Sequence, residues 1–404
     1  MQILVLDTIH GGKKIAEALA MRGHSVEMVD VYRGEDGISP GDAGMRDYDL
    51  VIAPVHLYPQ YPLLTSVPSP VITHHQAVRW ILGRQAPSPL VEITGARGKT
   101  TTAHALAHLM EGPGILHTSR GTTEYPSGKI HGQLGITPAS LIEAASLARS
   151  CGGWLIAEIS LGFTGAGNLG ILTSMDTYRC AGGEKDALEE KLRSGNALTL
   201  MLTPPGTSQS GNRLPADRIA KVDGDVCRYA WGEISGEFKN PILENAAYRD
   251  PLTLAAAAAC ILGIDPARLS TFTPVAGRMV CSFRGKTAVV DDSNSGTCAA
   301  TALQAIRYGR QLAGIRGPLT LVIGKEEGAI CEGFPGETIV ELVRSECPDR
   351  VILVGATYGP LISESLPGEI PLACCDTLAE GEALALENAD PREGIVVLAV
   401  KTWR

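Results

Sequence analysis

The residues with the clearest chemical potential form a short loop between a predicted strand and a predicted helix. The strand covers residues 90–93, and the apolar spacing after the loop is typical of a helix. Backbone N–H groups at a helix start point toward an anion, and the ammonium of Lys99 adds a charge for terminal phosphates. The hydroxyl of Thr100 is the group that such loops place on Mg²⁺. The sequence therefore predicts a nucleotide-phosphate site made of Thr94, Gly95, Ala96, Arg97, Gly98, Lys99, Thr100 and Thr101.

A second chemical group is a carboxylate inside an apolar strand. Residues 154–159 predict a buried strand in which Glu158 is the single charged residue. An isolated charge in such a strand is unfavourable unless it is paired or binds a metal ion. Because parallel strands end at the same edge of a sheet, we predict that Glu158 and Thr100 bind one Mg²⁺ ion. The alternative is a glutamate on an edge strand that faces water.

Composition restricts the class of protein. The chain has 404 residues, 44% hydrophobic and 20% charged, which is typical of an α/β protein of two or three domains. The net charge of −9 argues against nucleic acid as the main ligand. No apolar run reaches the length of a membrane span, and the first residues lack a basic stretch, so we expect a cytoplasmic protein without a membrane partner. The ten scattered cysteines predict free thiols.

The elements that must position these groups fall into three segments. Residues 1–85 predict a small Rossmann-like domain, although the Gly-x-Gly-x-x-Gly fingerprint of dinucleotide binding is absent. Residues 90–274 predict a central domain whose mostly parallel sheet carries the phosphate loop. Residues 276–404 predict a third domain of alternating strands and helices. The predicted strands are 3–6, 26–29, 50–53, 71–73, 90–93, 154–159, 169–173, 197–202, 227–231, 287–290, 319–323, 351–354 and 395–400.

The phosphate loop is shorter than the common P-loop, which has its first glycine where this chain has Ile93. The compact form resembles the Mur ligase family, whose members use ATP to activate a carboxylate as an acyl phosphate. The resemblance covers residues 90–404 and implies a three-domain α/β fold. That fold has an N-terminal Rossmann-like domain, a central P-loop ATPase domain and a C-terminal Rossmann-like domain. It also implies ATP and Mg²⁺ as cofactors, with catalytic roles for Lys99 and Glu158.

The resemblance extends to a lysine on a predicted helix. The run Glu190-Lys-Leu-Arg193 is similar to the helix in which the family carries a carbamylated lysine, which implies a catalytic role for Lys191, with Lys185 as second choice. The residues alone explain Lys191 equally well as a solvated helix lysine. Near residue 174 the family has an asparagine and then an Asp-His pair, whereas this chain has Ser174 and Tyr178-Arg179. Either Asp176 is a second metal ligand or one Mg²⁺ ion is enough.

Further nucleotide contacts are implied by two later segments. Arg278 and the run 289–296 resemble the start of the family's C-terminal domain. This implies that Arg278 acts on the ATP phosphates and that Asp292 and Asn294 contact the nucleotide. The composition of the same run also predicts a turn. Asn245 is similar to a family asparagine at a helix start, which implies a contact with the adenine.

The N-terminal segment resembles one methanogen branch of the family, through the runs Leu4–Gly12, Val29–Arg33 and Ile72–His75. That branch forms a C–C bond from a propionate side chain of a nickel seco-tetrapyrrole, which implies such a small-molecule substrate. An amide ligase that joins an amino acid to a carboxylate is the alternative within the family. A P-loop kinase or a non-catalytic nucleotide-binding module is the alternative outside it. Glu158 and the third domain argue against both of these.

Overall fold

The structure is a computed structural model that describes residues 1–294, 296–312, 317–327, 335–355, 362, 365, 370–387 and 394–402. The chain forms two compact units, Met1–Phe272 and Thr273–Arg404. The first unit contains a four-stranded and a seven-stranded sheet, a three-stranded sheet and a two-stranded ribbon, and the second contains a six-stranded sheet. The predicted boundary at residues 85–90 falls between the two larger sheets of the first unit and stays a prediction.

Four parallel strands form the first sheet, in the order β2-β1-β3-β4. Their bounds are β1 Gln2–Leu6, β2 Ser25–Val29, β3 Leu50–Ala53 and β4 Val71–Thr73. Because β2 and β3 lie on opposite sides of β1, the winding direction changes between β1 and β3, and the loops after these strands meet at the carboxyl edge. The helical segments are a π-helical turn Thr8–Gly12, α1 Lys13–Ala20, α2 Pro40–Gly44, α3 Pro62–Ser66 and α4 His74–Leu82.

The second sheet carries the phosphate loop and has the strand order β13-β12-β9-β5-β8-β6-β7. All neighbours are parallel except β6 and β7. Every residue of the central strand β5 is buried, as expected for a sheet covered on both faces. The strands are β5 Leu90–Thr94, β6 Gly114–Thr118, β7 Gly121–Tyr125, β8 Trp154–Glu158, β9 Leu169–Leu172, β12 Leu200–Thr203 and β13 Arg213–Pro215. The helices are α5 Lys99–Leu109, α6 Ser140–Ser150, α7 Ala187–Gly195 and α8 Ala246–Ile261.

The remaining strands of the first unit are antiparallel. A ribbon joins β10 Arg179–Cys180 to β11 Lys185–Asp186, and a separate sheet has the order β14-β15-β16. Its strands are β14 Ala220–Asp223, β15 Val226–Trp231 and β16 Ile234–Lys239. The prediction that 227–231 belongs to the parallel sheet is therefore wrong. The connections 224–225 and 232–233 are tight turns, which are too short for a parallel crossover.

The described strands of the second unit form one sheet, in the order β17-β18-β22-β19-β20-β21. Among these strands, only β17 runs antiparallel to its neighbour. Its core is formed by buried valines, leucines and isoleucines of the central strands. The strands are β17 Val280–Arg284, β18 Thr287–Asp291, β19 Leu319–Lys325, β20 Arg350–Val354, β21 Leu372–Cys375 and β22 Gly394–Lys401. The described helices are α9 Ala299–Gln311, α10 Gly336–Glu346 and α11 Leu378–Glu387.

One predicted strand starts later than expected. Residues 197–202 were predicted as a strand, but β12 begins at Leu200 because the chain after α7 continues in turns. The N–H of Ala197 donates to the carbonyl of Ser194 at 3.1 Å, and the N–H of Leu198 donates to that of Gly195 at 3.1 Å. In the described part of the chain, no helix combines the length and apolar character that a bilayer span requires.

Candidate functional site

The phosphate loop joins β5 to α5 and requires glycine at two positions. Gly95 has φ +152°, and a Cβ there would lie 2.1 Å from Oγ1 of Thr173. Gly98 has φ +83° and directly precedes α5. Both conformations are unfavourable for a residue with a side chain. Thr173, which follows β9, stabilises the loop, because its Oγ1 donates a hydrogen bond to the carbonyl oxygen of Arg97 at 2.5 Å.

The backbone donors at the tip of the loop face an internal acceptor. Oγ of Ser174 accepts from the N–H of Ala96 at 3.1 Å and from that of Arg97 at 3.4 Å. Lys99 donates from Nζ to the carbonyl of Gly95 at 2.9 Å. Arg97 also forms a partly exposed ion pair with Asp176, with 2.5 Å between Nε and Oδ2. Two N–H donors and an ammonium thus lie together at a helix start, which is an arrangement that binds phosphate.

Glu158 and two hydroxyl groups form an oxygen-rich site beside this loop. Glu158 is fully buried, and its Oε2 accepts from the N–H of Ser119 at 3.1 Å. Its Oε1 has no hydrogen-bond partner among the described residues. Oγ of Ser119 lies 3.3 Å from Oγ1 of Thr100. A buried, unpaired carboxylate oxygen is uncommon, and together with two hydroxyls it fits a hard cation such as Mg²⁺.

Lys191 is a buried lysine that lies near Lys99. Only 1% of the residue is exposed, and Nζ has no hydrogen-bond partner among the described residues, although it lies 4.8 Å from the ring centre of Tyr178. Burial and the neighbouring Lys99 lower the pKa of Lys191 to about 8. Its burial contradicts the interpretation of a solvated helix lysine. Lys185, the second choice, is engaged elsewhere, because its Nζ donates to the carbonyl of Val55 at 2.9 Å.

Asn245 lies at the start of α8, where its Oδ1 accepts from the N–H of Ala247 at 2.9 Å. This helix packs against α5, and a Cβ at Gly98 would lie 3.4 Å from the ring of Pro251. Burial raises the pKa of Asp250, and the nearby Arg97 lowers it. The start of α8 therefore lies beside the phosphate loop, while the contact of Asn245 with adenine stays a prediction.

Three predicted residues come together inside the second unit. Asp292 follows β18 and is buried, and its Oδ2 has no hydrogen-bond partner among the described residues. Burial raises the pKa of Asp292 to about 7, and Arg278 is one of the groups that lower it. Nδ2 of Asn294 donates to the carbonyls of Gly277 at 2.8 Å and of Asp292 at 3.0 Å. These bonds hold the segment that carries Arg278 against the loop after β18. Ser295 of the same motif lies outside the described residues.

The remaining loop residues have structural surroundings that the sequence predicts only in part. Oγ1 of Thr94 donates to the carbonyl of Ile159 at 2.7 Å and so joins β5 to the end of β8. Thr101 is buried in the first turn of α5.

Ser119 and Thr173 were missed, because they come from distant parts of the chain and belong to no motif. A serine in a hairpin turn and a threonine after a strand give no signal of their own.

Comparison with known proteins connects the chain to one kind of enzyme. The family described as "Coenzyme F430 synthetase CfbE, C-terminal domain" matches residues 281–402. The coenzyme F(430) synthetase of Methanosarcina acetivorans is 32% identical over 476 aligned positions, which cover 100% of this chain and 99% of the relative. That of Methanocaldococcus jannaschii is 23% identical, with coverage of 87% and 90%.

Solved structures with a similar fold include Mur ligases. The UDP-N-acetylmuramoylalanyl-D-glutamyl-2,6-diaminopimelate–D-alanyl-D-alanyl ligase of Acinetobacter baumannii has a TM-score of 0.56 at 14% identity, covering 87% of this chain and 81% of its own. The MurF ligase of Thermotoga maritima, solved in complex with ADP, has a TM-score of 0.52 at 14% identity, with coverage of 88% and 86%. At this identity the likeness concerns the fold, and it confirms the predicted Mur ligase-like α/β class.

Proposed function

Because this chain belongs to the coenzyme F(430) synthetase family, we propose that it is an ADP-forming ligase that cyclises a propionate side chain of a nickel seco-tetrapyrrole. One observation carries the ATP chemistry: a compact phosphate loop lies beside the buried Glu158, whose Oε1 lacks a hydrogen-bond partner among the described residues. Family membership supports the pigment as substrate. The product would be coenzyme F(430), with ADP and phosphate.

In the first step, a propionate oxygen attacks the γ-phosphorus of ATP, the bond to the bridging oxygen breaks, and ADP leaves. Lys99 and the loop N–H groups hold the phosphates in line and offset the charge that develops on the transferred group. Mg²⁺ bound by Thr100 and Glu158 would supply further charge neutralisation at the phosphates. The product of this step is an acyl phosphate on the pigment.

In the second step, a ring carbon of the pigment attacks the acyl carbon, the C–O bond to phosphate breaks, and the attacking carbon loses a proton. Over both steps the pigment loses the elements of one water molecule. Water competes with a carbon nucleophile for the acyl phosphate, so the site must exclude it. The full burial of Glu158 and the near-complete burial of Lys191 support a site of low water content.

Lys191 is proposed to be carbamylated. Its neutral amine would attack CO₂, form an N–C bond and release one proton, and the resulting carboxylate would offset the charge of Lys99 and of bound metal. The burial of Lys191, its lowered pKa and the absence of a hydrogen-bond partner for its Nζ among the described residues support this. Incubation with ¹³C-bicarbonate should give a carbamate carbon resonance. The Lys191→Met variant should lack that resonance and the Lys185→Met control should keep it; loss in both or in neither contradicts the assignment.

Nucleotide contacts from other residues follow the same proposal. Arg278 acts on the terminal phosphates, so Arg278→Ala should lower kcat more than it weakens ADP binding. Asp292, Asn294 and Asn245 contact other parts of ATP, so their alanine variants should weaken ADP binding. Calorimetric titration with Mg-ADP measures the ADP affinities, and steady-state ADP release measures kcat. Equal ADP affinity in wild type and Asn245→Ala would remove Asn245 from the site.

The experiment that tests the function is anaerobic ADP release with Mg-ATP, with and without the nickel seco-tetrapyrrole. We expect one ADP per pigment molecule and a pigment mass lower by one water, with Lys99→Ala as the inactive control. Turnover that requires an added amine would favour the amide ligase and reject the pigment as substrate. A stable phosphorylated product would indicate a kinase, and no turnover with any carboxylate would indicate a nucleotide-binding module.

A further inference from the structure

A cluster of two imidazoles and a carboxylate lies at the carboxyl edge of the first sheet. Asp7 and His10 follow β1, and His56 follows β3, which places them where the winding direction of the sheet changes. In open α/β sheets, ligands bind in the crevice at this position. The potential ligand atoms of the three side chains all lie within 4.8 Å of one another. None of these residues has a role in the ATP chemistry described above.

Asp7 fixes the orientation of His10. Asp7 is fully buried, with φ +78°, a conformation that is unfavourable for a residue with a side chain. Its Oδ1 accepts from the N–H groups of Ile9 and His10, at 2.8 and 2.9 Å. Its Oδ2 lies 2.9 Å from Nδ1 of His10, so the imidazole donates from Nδ1, and in its neutral form it keeps a lone pair on Nε2. A carboxylate that orients a histidine in this way is typical of histidines that bind metals.

The other rings form a partly exposed surface beside His10. His56 stacks on Tyr32 with 13° between the planes, and His10 stands nearly perpendicular to both rings. Nε2 of His56 has no hydrogen-bond partner among the described residues and lies 3.7 Å from Oδ2 of Asp7. The side chain of His10 is 40% exposed and that of His56 is 27% exposed. A flat, partly apolar ligand can therefore reach the partly exposed ring of His10 here.

The cluster lies against the central part of the same compact unit. A Cβ on Gly11 would approach Cβ of Ala139 to 2.6 Å and Oγ1 of Thr137 to 3.0 Å. A second contact joins the cluster to this central part: Lys185 donates to the carbonyl of Val55, the residue before His56. Lys185 directly precedes Asp186, which caps the helix that carries Lys191. A ligand on the cluster therefore borders the elements that carry the ATP chemistry.

We propose that this cluster binds the face of the nickel tetrapyrrole, with Nε2 of His10 as an axial ligand of the nickel. The inference rests on the proposed function and adds the residues that recognise the metal of the substrate. Imidazole nitrogen is a suitable ligand for nickel, and a planar macrocycle leaves the axial positions of its metal open. Asp7 is a positioning residue, and the rings of His56 and Tyr32 pack against the macrocycle.

The test is anaerobic titration of the purified protein with the Ni(II) seco-tetrapyrrole without ATP, followed by absorption and nickel X-ray absorption spectroscopy. We expect binding to shift the pigment spectrum and to add one nitrogen ligand to nickel. His10→Ala should remove the shift and weaken pigment binding by about 10- to 100-fold, and Asp7→Asn should weaken it by about 10-fold. Added imidazole should restore the shift in His10→Gly. His24→Ala is the matched control, because His24 lies at the opposite edge of the same sheet.

Three outcomes overturn the inference. The first is wild-type binding with an unchanged nickel coordination, and the second is a His10→Ala variant that keeps the spectral shift. The third is stoichiometric binding of free Ni²⁺ or Zn²⁺ that depends on His10 and is not displaced when the pigment is added. This result would indicate that the cluster holds a metal ion of its own. Mg-ADP affinity and thermal melting show whether each variant is folded. Normal ring closure without axial ligation rejects this inference and leaves the function intact, whereas absence of both pigment binding and turnover rejects the function itself.

Discussion

Two fully buried glutamates lie on neighbouring strands of the central sheet, and their surroundings differ completely. Glu92 on β5 accepts three backbone N–H bonds, from Thr164 at 2.5 Å and Gly165 at 3.3 Å to Oε2 and from Gly167 at 2.8 Å to Oε1. Glu158 on β8 accepts one such bond, from Ser119 to Oε2. Both side chains are 0% exposed. Their difference therefore lies in hydrogen bonding and not in burial.

Glu92 has the surroundings of a structural carboxylate, whereas those of Glu158 fit the proposed metal ligand. Both oxygens of Glu92 are used to fix the loop 162–167, and burial still raises the pKa of Glu92. Glu158 keeps one oxygen without a hydrogen-bond partner among the described residues, beside the phosphate loop. A buried polar atom left without a partner is unfavourable unless another group binds it. The number of unsatisfied atoms therefore distinguishes the two glutamates where burial does not, and it supports the proposed metal site at Glu158.

The largest effect is expected for Glu158→Gln. The amide can still accept from Ser119 but supplies no negative charge to Mg²⁺, so ADP formation should fall about 10³-fold, equivalent to roughly 4 kcal/mol. Thermal stability should stay within a few degrees of wild type. Steady-state ADP release at saturating Mg-ATP measures the first quantity and calorimetry the second. Activity within threefold of wild type would exclude Glu158 as a metal ligand.

The next largest effect is expected for Lys191→Met, which should lose about 10²-fold in ADP formation and gain stability. A lysine pKa lowered from 10.5 to about 8 means that the folded state binds the proton less tightly than the unfolded state. In CO₂-free buffer, where Lys191 carries no carbamate, its charged form therefore destabilises the fold by about 3 kcal/mol below pH 8, and this cost disappears as pH rises from about 8 to 10.5. Urea unfolding of both proteins should show a difference that shrinks over this window. A difference in the free energy of unfolding that stays constant over this pH window would contradict the lowered pKa of Lys191.

A glutamate-to-glutamine substitution at Glu92 should lower stability and leave activity nearly unchanged, the opposite of the result expected at Glu158. In Glu92→Gln the single amide oxygen cannot accept from all three N–H groups, and the NH₂ group must face a donor. We expect a loss of about 2 kcal/mol in the free energy of unfolding. The kcat of the folded fraction should change less than threefold. A stable but inactive Glu92→Gln variant would break the distinction between the two glutamates.

The smallest effect is expected for Asp176→Asn. Asp176 is half-exposed and pairs with Arg97, so its loss should change stability by less than about 0.5 kcal/mol. If one metal site is sufficient, kcat and the Mg²⁺ concentration for half-maximal activity should change less than fivefold. A Mg²⁺ titration decides this. A 30-fold or larger rise in the Mg²⁺ concentration for half-maximal activity would indicate that Asp176 is a second metal ligand. Glu158 would then not be the single carboxylate with a functional role.

The sequence predicted the parts of the site that carry a local signal. Glycines around Lys99 predicted the loop, and a charge in an apolar strand predicted the buried position of Glu158. The residues alone left Lys191 undecided, because burial of one helix face depends on what packs against it. The partners of these residues, Ser119 and Thr173, come from distant strands, and only folding brings them together. The histidine-rich N-terminal runs supported a family resemblance, but the cluster of Asp7, His10 and His56 required the sheet topology.

The contact of Ser174 with the phosphate loop has a consequence for nucleotide exchange. The N–H groups of Ala96 and Arg97 have an acceptor within the protein, the hydroxyl of Ser174. An arriving nucleotide must displace this internal competitor, and a departing ADP returns the donors to it. We expect this exchange to reduce nucleotide affinity by about 2 kcal/mol, the net contribution of these two hydrogen bonds. Ser174 would thereby hasten product release at each turnover.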